Sequence, residues 1–449
     1  MEMRSEFGVG AIFSLIGDSL NKVEDNLSKM DFCDLENHSV EVVQEFGRRY
    51  LQLMTNLRVK AEPTSRKKVK CEQCKKNINI HKSQAPRGIS TLYGDIDLCS
   101  DYYYCRGCGQ GVRPFDQKLH LKSNANESPA LEEMVCLFGK DYSFEKASQM
   151  LKRTLNIEIS DNRVLSITEA KGSEVLEYQK KRADEYKAYP DLQKKQSLRN
   201  SKVGTLYLEV DGSYVPLQKK YKEAKLVVSF EQKDRYESSK DRPLLLNKNY
   251  TGKIAYIDDF KKYFEYHART HGADEADRLV VLGDGAEWIW NLAKEYLRSD
   301  RIEILDYYHA SEYIWDFSKQ ILTDEKAIEE FAKSLEGTLL EDSVENTISK
   351  IKELKLEDEE HLAARKTILG YFEKNRSRMN YKEYREKGLI IGSGAIEGGN
   401  KNVIHQRCRQ AGMHWTEDGA NSLIALRCLY ESNMWDDLKW GNQNLAMAS

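Results

Sequence analysis

Long uncharged apolar runs are missing from this 449-residue chain. No window approaches the roughly 18 apolar residues of a membrane span, so a membrane partner is not expected. The nearest stretch, Phe7 to Gly17, is short and bounded by Glu6 and Asp18. It also lacks the basic start and small-residue cleavage site of a secretory signal. Both absences point to the cytoplasm. Proline is scarce, at 7 residues, well below the ~5% of average usage, which excludes proline-rich linkers and collagen-like repeats. A disulfide framework is missing too, because 9 cysteines are an odd number scattered along a long chain. Net charge is nearly absent, with 69 Lys+Arg against 72 Asp+Glu. No internal repeat or long low-complexity run occurs. What is present is 40% hydrophobic and 31% charged residues, the balance of a soluble globular protein. At ~150 residues per domain, the length suggests about three domains.

The near-neutral total hides local asymmetry. Lys60 to Lys122 carries 13 Lys/Arg and 6 Asp/Glu, whereas Asp324 to Glu360 carries 5 and 13. The acidic stretch reads as solvated helical faces. The basic stretch suits a nucleic-acid-facing module. Residues 1–66 read as a helical region. Within it Val42, Val43 and Phe46, followed by Tyr50, Leu51 and Met54, recur at three- to four-residue steps, giving one amphipathic helix. Packing, dimerisation and DNA contact fit that helix equally.

Inside the basic stretch lie two Cys-x-x-Cys pairs, Cys71/Cys74 and Cys105/Cys108. Zinc binds four thiolates tetrahedrally, and each such turn presents two sulfurs to one side of the ion. Thirty residues separate the pairs, and they read as an elongated hairpin. Gly94 is its turn, and Asp95, Asp97, Cys99 and Asp101 alternate with Ile96, Leu98, Ser100 and Tyr102 as a strand. A zinc ribbon over 67–123 with a structural Zn²⁺ on four cysteines is expected. His81 or His120 replacing one thiolate is the rival ligand set. The other five cysteines read as buried or inert.

A helix-turn-helix is expected over 128–172. Ser143 caps a helix whose inner face is Phe144, Ala147, Leu151 and Leu155, and Asn156 ends it. A second helix starts at Ser160-Asp161 and is read as ending at Gly172. Asn162 and Arg163 then stand at the start of a recognition helix as DNA contacts. A plain helical hairpin fits the same pattern. Residues 173–199 read as a polar helical linker.

From residue 200 strands dominate. Thr205 to Asp211 alternates, a short strand follows at Tyr214–Leu217, and Lys225 to Phe230 makes a third. A helix over about Asp258 to His271 leads to the apolar strand Leu279–Leu282 and to Asp284-Gly285. A helix with Trp288, Ile289, Leu292 and Tyr296 precedes the strand Arg301–Leu305, which ends at Asp306. This order is that of an RNase H-like mixed sheet with helices on its faces. The fold class expected is thus α/β multidomain, with an RNase H-like catalytic domain behind a zinc ribbon and a helix-turn-helix. Two Asp-Gly strand ends bring Asp211 and Asp284 toward one spot, where like charges repel unless a cation intervenes. Mg²⁺ (or Mn²⁺) suits oxygen ligands and substrate phosphate. Glu397 supplies a third carboxylate, with Glu287 and Glu312 as rivals. It shares a helix face with Lys401 and His405 at four-residue steps, so Lys401, Arg407 and Arg409 are expected to approach DNA phosphates. Trp288, Trp290 and Trp415 read as core, with base stacking as the alternative.

The segments EVDGSYV, GDGAEWIWNL, ILDYYHASEYIW and IGSGAIEGGNKNVIHQRCRQAGMHW resemble the DDE transposases of bacterial insertion sequences of the ISKra type. The upstream LYGDIDLCSDYYYCRGCGQGVRPFD and SFEKASQML…SDNRV resemble that family's zinc ribbon and helix-turn-helix. The resemblance covers about residues 70–430 with its motifs in order, while the first 66 residues match weakly. Asp306 and His309 form a D-x-x-H pattern similar to one shared by Mutator-like transposases. The resemblance implies that Asp211, Asp284 and Glu397 form the metal-binding triad and that His309 supports it. It also implies a helical insertion, taken as about 318–387, that begins near Trp315 and precedes the glutamate of a catalytic domain over 200–430. The function implied is a DDE transposase that binds terminal inverted repeats of double-stranded DNA, cleaves with Mg²⁺ and joins the freed 3′-hydroxyl to target DNA. Joining two ends calls for a homodimer or larger assembly, cytoplasmic and nucleoid-associated when on DNA. A metal-dependent nuclease or resolvase on the same fold, and a non-catalytic DNA-binding derivative, are the alternatives.

Overall fold

A computed structural model describes residues 9–61, 68–71, 73–122, 126–188, 202–237 and 243–441. The chain divides into two compact units, Met1–Thr168 with Asp436–Ser449, and Glu169–Trp435.

The first unit opens with helices α1 (Val9–Val23) and α2 (Phe32–Lys60). Asp31 caps α2 through a reciprocal capping box with Asp34, satisfying donors that a helix start leaves open. Six strands follow: β1 (Lys68–Lys70), β2 (Asn77–Ala85), β3 (Gly88–Thr91), β4 (Gly94–Asp97), β5 (Ser100–Tyr104) and β6 (Gly111–Val112). They form a four-stranded sheet, β1-β2-β5-β6, and the separate hairpin β3–β4. Gly94 turns that hairpin at φ 103°, a conformation that glycine adopts without cost. The single strand expected over Asp95 to Tyr102 is therefore two. Arg87 and Leu98 exchange backbone hydrogen bonds and close the hairpin, after which β5 pairs in the other sheet. Helix α2 covers the hairpin. Its Gln52 side chain bonds both the N–H and the C=O of Asp97, while Leu51 and Val59 pack on Ile89, Ile96 and Leu98.

After the short helix α3 (Pro114–Lys118) come α4 (Pro129–Gly139), α5 (Phe144–Leu155) and α6 (Asp161–Ala188). Ser128 and Ser143 cap α4 and α5, and Asn156 closes α5 in the left-handed conformation. Leu131, Val135, Cys136, Ala147, Leu151 and Val164 are buried in this unit. Helix α6 corrects the sequence reading, because it does not stop at Gly172 but continues to Ala188. Gly172 is needed for contact instead: a Cβ there would lie 2.3 Å from the Ser422 carbonyl oxygen.

The second unit holds a five-stranded sheet, in order β11 (Asn249–Ile254), β8 (Tyr221–Glu231), β7 (Thr205–Pro216), β12 (Arg278–Gly283) and β13 (Ile302–Leu305). The small hairpin β9 (Arg235–Glu237) and β10 (Pro243–Leu245) lies between β8 and β11 in sequence. Strands β11, β8 and β7 are antiparallel neighbours, whereas β7, β12 and β13 are parallel. Helices α7 (Ile257–Thr270) and α8 (Glu287–Tyr296) flank β12 in sequence, as expected for parallel crossovers. Strand β7 runs unbroken through Asp211-Gly212, where the sequence suggested a strand end and a second short strand. Both faces of its first half are buried, because it lies in the middle of the sheet.

Helices α9 (Tyr307–Ile321), α10 (Glu325–Glu341), α11 (Val344–Glu353), α12 (Glu359–Asn375) and α13 (Tyr381–Glu386) form a helical array between β13 and the last helices. Helix α14 starts at Gly394–Gly399, widens into a π segment at Asn400–His405 and returns to α geometry over Gln406–Cys408. Helix α15 (Glu417–Glu431) is almost wholly buried and packs on β11, with Asn421 bonding the Ile254 N–H and C=O. Cys136, Cys408 and Cys428 are buried as expected, but Cys33 is exposed. Trp290 and Trp415 are core residues. Among the described residues, no helix is long and apolar enough to cross a membrane.

Candidate catalytic and metal centres

The middle of β7 and the C-terminal ends of β12 and β13 gather carboxylates. Glu209 pairs with Leu282 and Gly283 with Leu305 in the parallel ladders. Asp211 and Asp284 therefore stand two residues past one pair, and Asp284 and Asp306 one residue past the other. Parallel register, not sequence proximity, assembles the three aspartates.

Each carboxylate is held by short-range donors. Asp211 accepts the Gly212 N–H at 2.7 Å and the Asn400 amide at 2.5 Å. Asp284 accepts the Ala286 N–H at 2.9 Å, and the Asp284 carbonyl accepts the Tyr371 hydroxyl at 2.8 Å. Tyr371 itself stacks on Tyr313 at 3.8 Å, so α9 and α12 hold this strand end in place. Asp306 is buried, caps α9 through the Tyr308 N–H, and accepts the Ser393 hydroxyl at 2.5 Å. That hydroxyl is also 3.1 Å from Glu397 Oε1, which links the first turn of α14 to the aspartate row. His309 Nδ1 lies 3.7 Å from Asp306 and 3.6 Å from Glu312. Tyr308, His309, Glu312, Gly394 and Glu397 line a cavity of about 480 Å³.

Helix α14 and its π segment dock along one side of β7. Alternate strand residues share a side, and here Glu209, Asp211 and Ser213 bond Ile396 N–H, the Asn400 amide and His405 Nε2. The helix positions used are four and then five residues apart. The π segment supplies the five-residue step and so brings His405 round to Ser213. That register corrects a sequence expectation. Glu397, Lys401 and His405 do not share one face at uniform steps: His405 turns to β7 while Lys401 is exposed.

Electrostatics mark the site. Burial, then the charge of Asp284, push the Asp211 carboxyl up to about 6, with the Gly212 N–H and His309 opposing. Glu209 is fully buried, and one of its oxygens has no partner. Burial first, then Asp306 and Glu397, push its carboxyl up to about 8 against the Ile396 N–H. Among the described residues, no lysine or arginine forms an ion pair with Asp211, Asp284, Asp306 or Glu397. Four acids sharing one histidine need another source of positive charge. Among the described residues, no three of these acids bring an oxygen each within one-ion reach of one another, whereas the cysteine sulfurs described below are within it.

Sequence reasoning missed Glu209, Ser393 and Asn400. Glu209 had a signal, since it is two residues before Asp211 on the same side of the strand. Asn400 had none, because its role depends on the π register. The four other expected DNA contacts are distributed differently. Arg409 is exposed beside His405. Arg407 is a correction: it is fully buried, with its guanidinium 4.7 Å from the Trp415 ring, so it braces the core and reaches no phosphate. Arg163 forms a bidentate pair with Glu127, and Asn162 is exposed at the start of α6.

The second centre belongs to the first unit. Cys71 and Cys105 open two equivalent knuckles, with Lys75 N–H donating to the Cys71 carbonyl and Gly109 N–H to the Cys105 carbonyl. Sulfurs of Cys71 and Cys108 are 3.4 Å apart, those of Cys74 and Cys105 are 3.5 Å apart, and all four lie within 4.8 Å. Tetrahedral zinc with ~2.3 Å bonds needs sulfurs about 3.8 Å apart, so these four cysteines are a set able to bind zinc. His81 packs against Tyr102 and Tyr104 instead. Backbone N–H at Cys74 leads the effects that lower the Cys71 thiol to about 6, favouring the thiolate that metals bind.

A search of curated proteins finds no match to the chain. The model of an uncharacterised protein family, UPF0236, matches residues 27–444, and the chain belongs to that family.

Proposed function

We propose that this protein is a DNA transposase of the DDE type, with Asp211, Asp284 and Glu397 as its catalytic carboxylates. The observation that carries the reading is the row of in-register aspartates on three neighbouring parallel strands, tied through Ser393 to Glu397 and, among the described residues, ion-paired by no lysine or arginine. The strand order β11-β8-β7-β12-β13, with only β8 antiparallel to its neighbours, supports an RNase H-like fold for the second unit. The knuckle pair on its sheet supports a zinc ribbon, and α4 to α6 support a helix-turn-helix for end recognition.

Asp211, Asp284 and Glu397 would hold Mg²⁺ or Mn²⁺. Bound there, the ions supply Lewis-acid activation and charge neutralisation at the scissile phosphate. The chain's own residues do the rest. Asn400 and the Gly212 N–H fix the Asp211 carboxylate, and Ser393 holds the Glu397 side chain toward Asp306. His309 balances part of the negative charge. Lys401 and Arg409, exposed on the helix that carries Glu397, contact DNA phosphate and position the strand. The substrate is double-stranded DNA, both the inverted-repeat ends and the target, and a dimer or larger assembly joins the ends. Asp284→Asn keeps the side chain's shape while removing its charge. It is expected to bind end DNA normally and lose cleavage at least ~100-fold in a gel assay with Mg²⁺. Retained cleavage would remove Asp284 from the site.

A further inference from the structure

Helix α2 has two apolar sides, and only one of them packs on the β3–β4 hairpin. At 100° per residue, Phe32, Val43, Phe46, Tyr50, Met54 and Leu57 fall within about 40° of a single line on the other side. They are 80%, 64%, 41%, 51%, 46% and 46% exposed. At ~200 Å² for a large apolar residue, this stripe offers roughly 650 Å², and Leu35 and Val40 extend its margins. Monomeric proteins rarely leave so much apolar surface in one patch, whereas a standard interface takes ~800 Å² per partner. Val43, Tyr50 and Leu57 recur at seven-residue intervals, the repeat of paired helices.

Charge identifies the occupant. Residues 31–45 contain Asp31, Asp34, Glu36, Glu41 and Glu45 and no Lys or Arg. Residues 46–60 contain Arg48, Arg49, Arg58 and Lys60 and no Asp or Glu. Asp34, Arg58 and Lys60 lie in the terminal turns, where the helix dipole favours them, and Glu45 pairs with Arg48 and Arg49 within the helix. Glu36 and Glu41 are left over by these local terms, and the two halves remain opposite in sign. A helix acidic in one half and basic in the other is complementary to itself when reversed. We infer that α2 pairs antiparallel with α2 of a second copy of this chain, across a two-fold axis near Phe46. That arrangement is isologous. It brings Glu36 of each copy beside Arg58 of the other along one edge of the stripe, and Asp31 beside Lys60 along the opposite edge. The inference rests on the first unit alone and is independent of the proposed catalysis.

Sedimentation of the full-length protein at micromolar concentration tests it. The expected mass is twice the 51.9 kDa of the chain. Phe46→Glu, at a half-exposed position, is expected to leave the melting temperature of the isolated chain unchanged and to weaken self-association ~100-fold or more, as removal of a central anchor does. Glu36→Lys and Arg58→Glu are each expected to weaken it about 10-fold, and the two together in one chain to restore it. A monomeric wild type, or a dimer indifferent to Phe46→Glu, would overturn the interface. Failure of the charge swap to restore association would overturn the antiparallel pairing.

Discussion

Glu209 shows how much one side chain can carry without being exposed. It sits beneath the carboxylate row, fully buried, and its neutral form is favoured up to about pH 8. The unfolded chain loses that proton near pH 4.5. Between those values the unfolded state binds fewer protons than the folded state, so stability falls as pH rises through the window and levels off above about 8. The melting temperature is therefore expected to drop from pH 5 to pH 8, and Glu209→Gln to flatten that decline while keeping the bond to the Ile396 N–H. An unchanged slope in the variant would show that Glu209 does not hold its proton. The alternation Glu209, Asp211, Ser213 was visible in the sequence, but its meaning was not. A strand in mid-sheet buries both sides, and only the partner helix decides which polar residue receives a donor. Arg407 illustrates the same limit from the other direction. A basic residue on a helix reads as solvated, and nothing local reveals that Trp415 lies beneath it.

Elements were legible where periodicity is local and illegible where distant contacts set their limits. The parallel strands β12 and β13, the Ser143 cap of α5 and the two cysteine knuckles follow from short patterns. The length of α6 does not, because Gly172 resembles a helix stop and functions as a contact point. Its Cβ position is occupied by the Ser422 backbone, and Ser173 bonds the Ser422 hydroxyl at 3.1 Å. In a solvated helix, Gly→Ala would stabilise by ~1 kcal/mol. Gly172→Ala is expected to destabilise by about 1–3 kcal/mol instead, the cost of overpacking against a neighbour that cannot yield. Chemical denaturation measures the sign, and a stabilised variant would mean that α6 and α15 are not in contact there. The π segment of α14 belongs to the same class. Its five-residue step sets His405 against Ser213 on β7, a contact that exists only once both elements are in place.

For the protein as a whole, two chemistries sit in two separate units: soft sulfur in the first and hard oxygen in the second. Atomic absorption is expected to find one zinc per chain, and Cys105→Ser to abolish it and lower the melting temperature. Full zinc retention in that variant would exclude Cys105 as a ligand. The cysteine spacing made this centre legible in advance, since both knuckles are continuous in sequence. The carboxylate centre was legible only in part: Asp211, Asp284 and Glu397 stand out as strand-end and helix-start acids, but their convergence depends on parallel register and on Ser393 and Asn400. The claim that unites them is metal-dependent cleavage and joining of DNA. It is tested most directly by incubating the purified protein with labelled DNA from the element's own ends, an unlabelled target and Mg²⁺ or Mn²⁺. The expected result is a labelled end covalently joined to target DNA, abolished by Asp211→Asn. Specific end binding with neither cleavage nor joined product under either metal would contradict it.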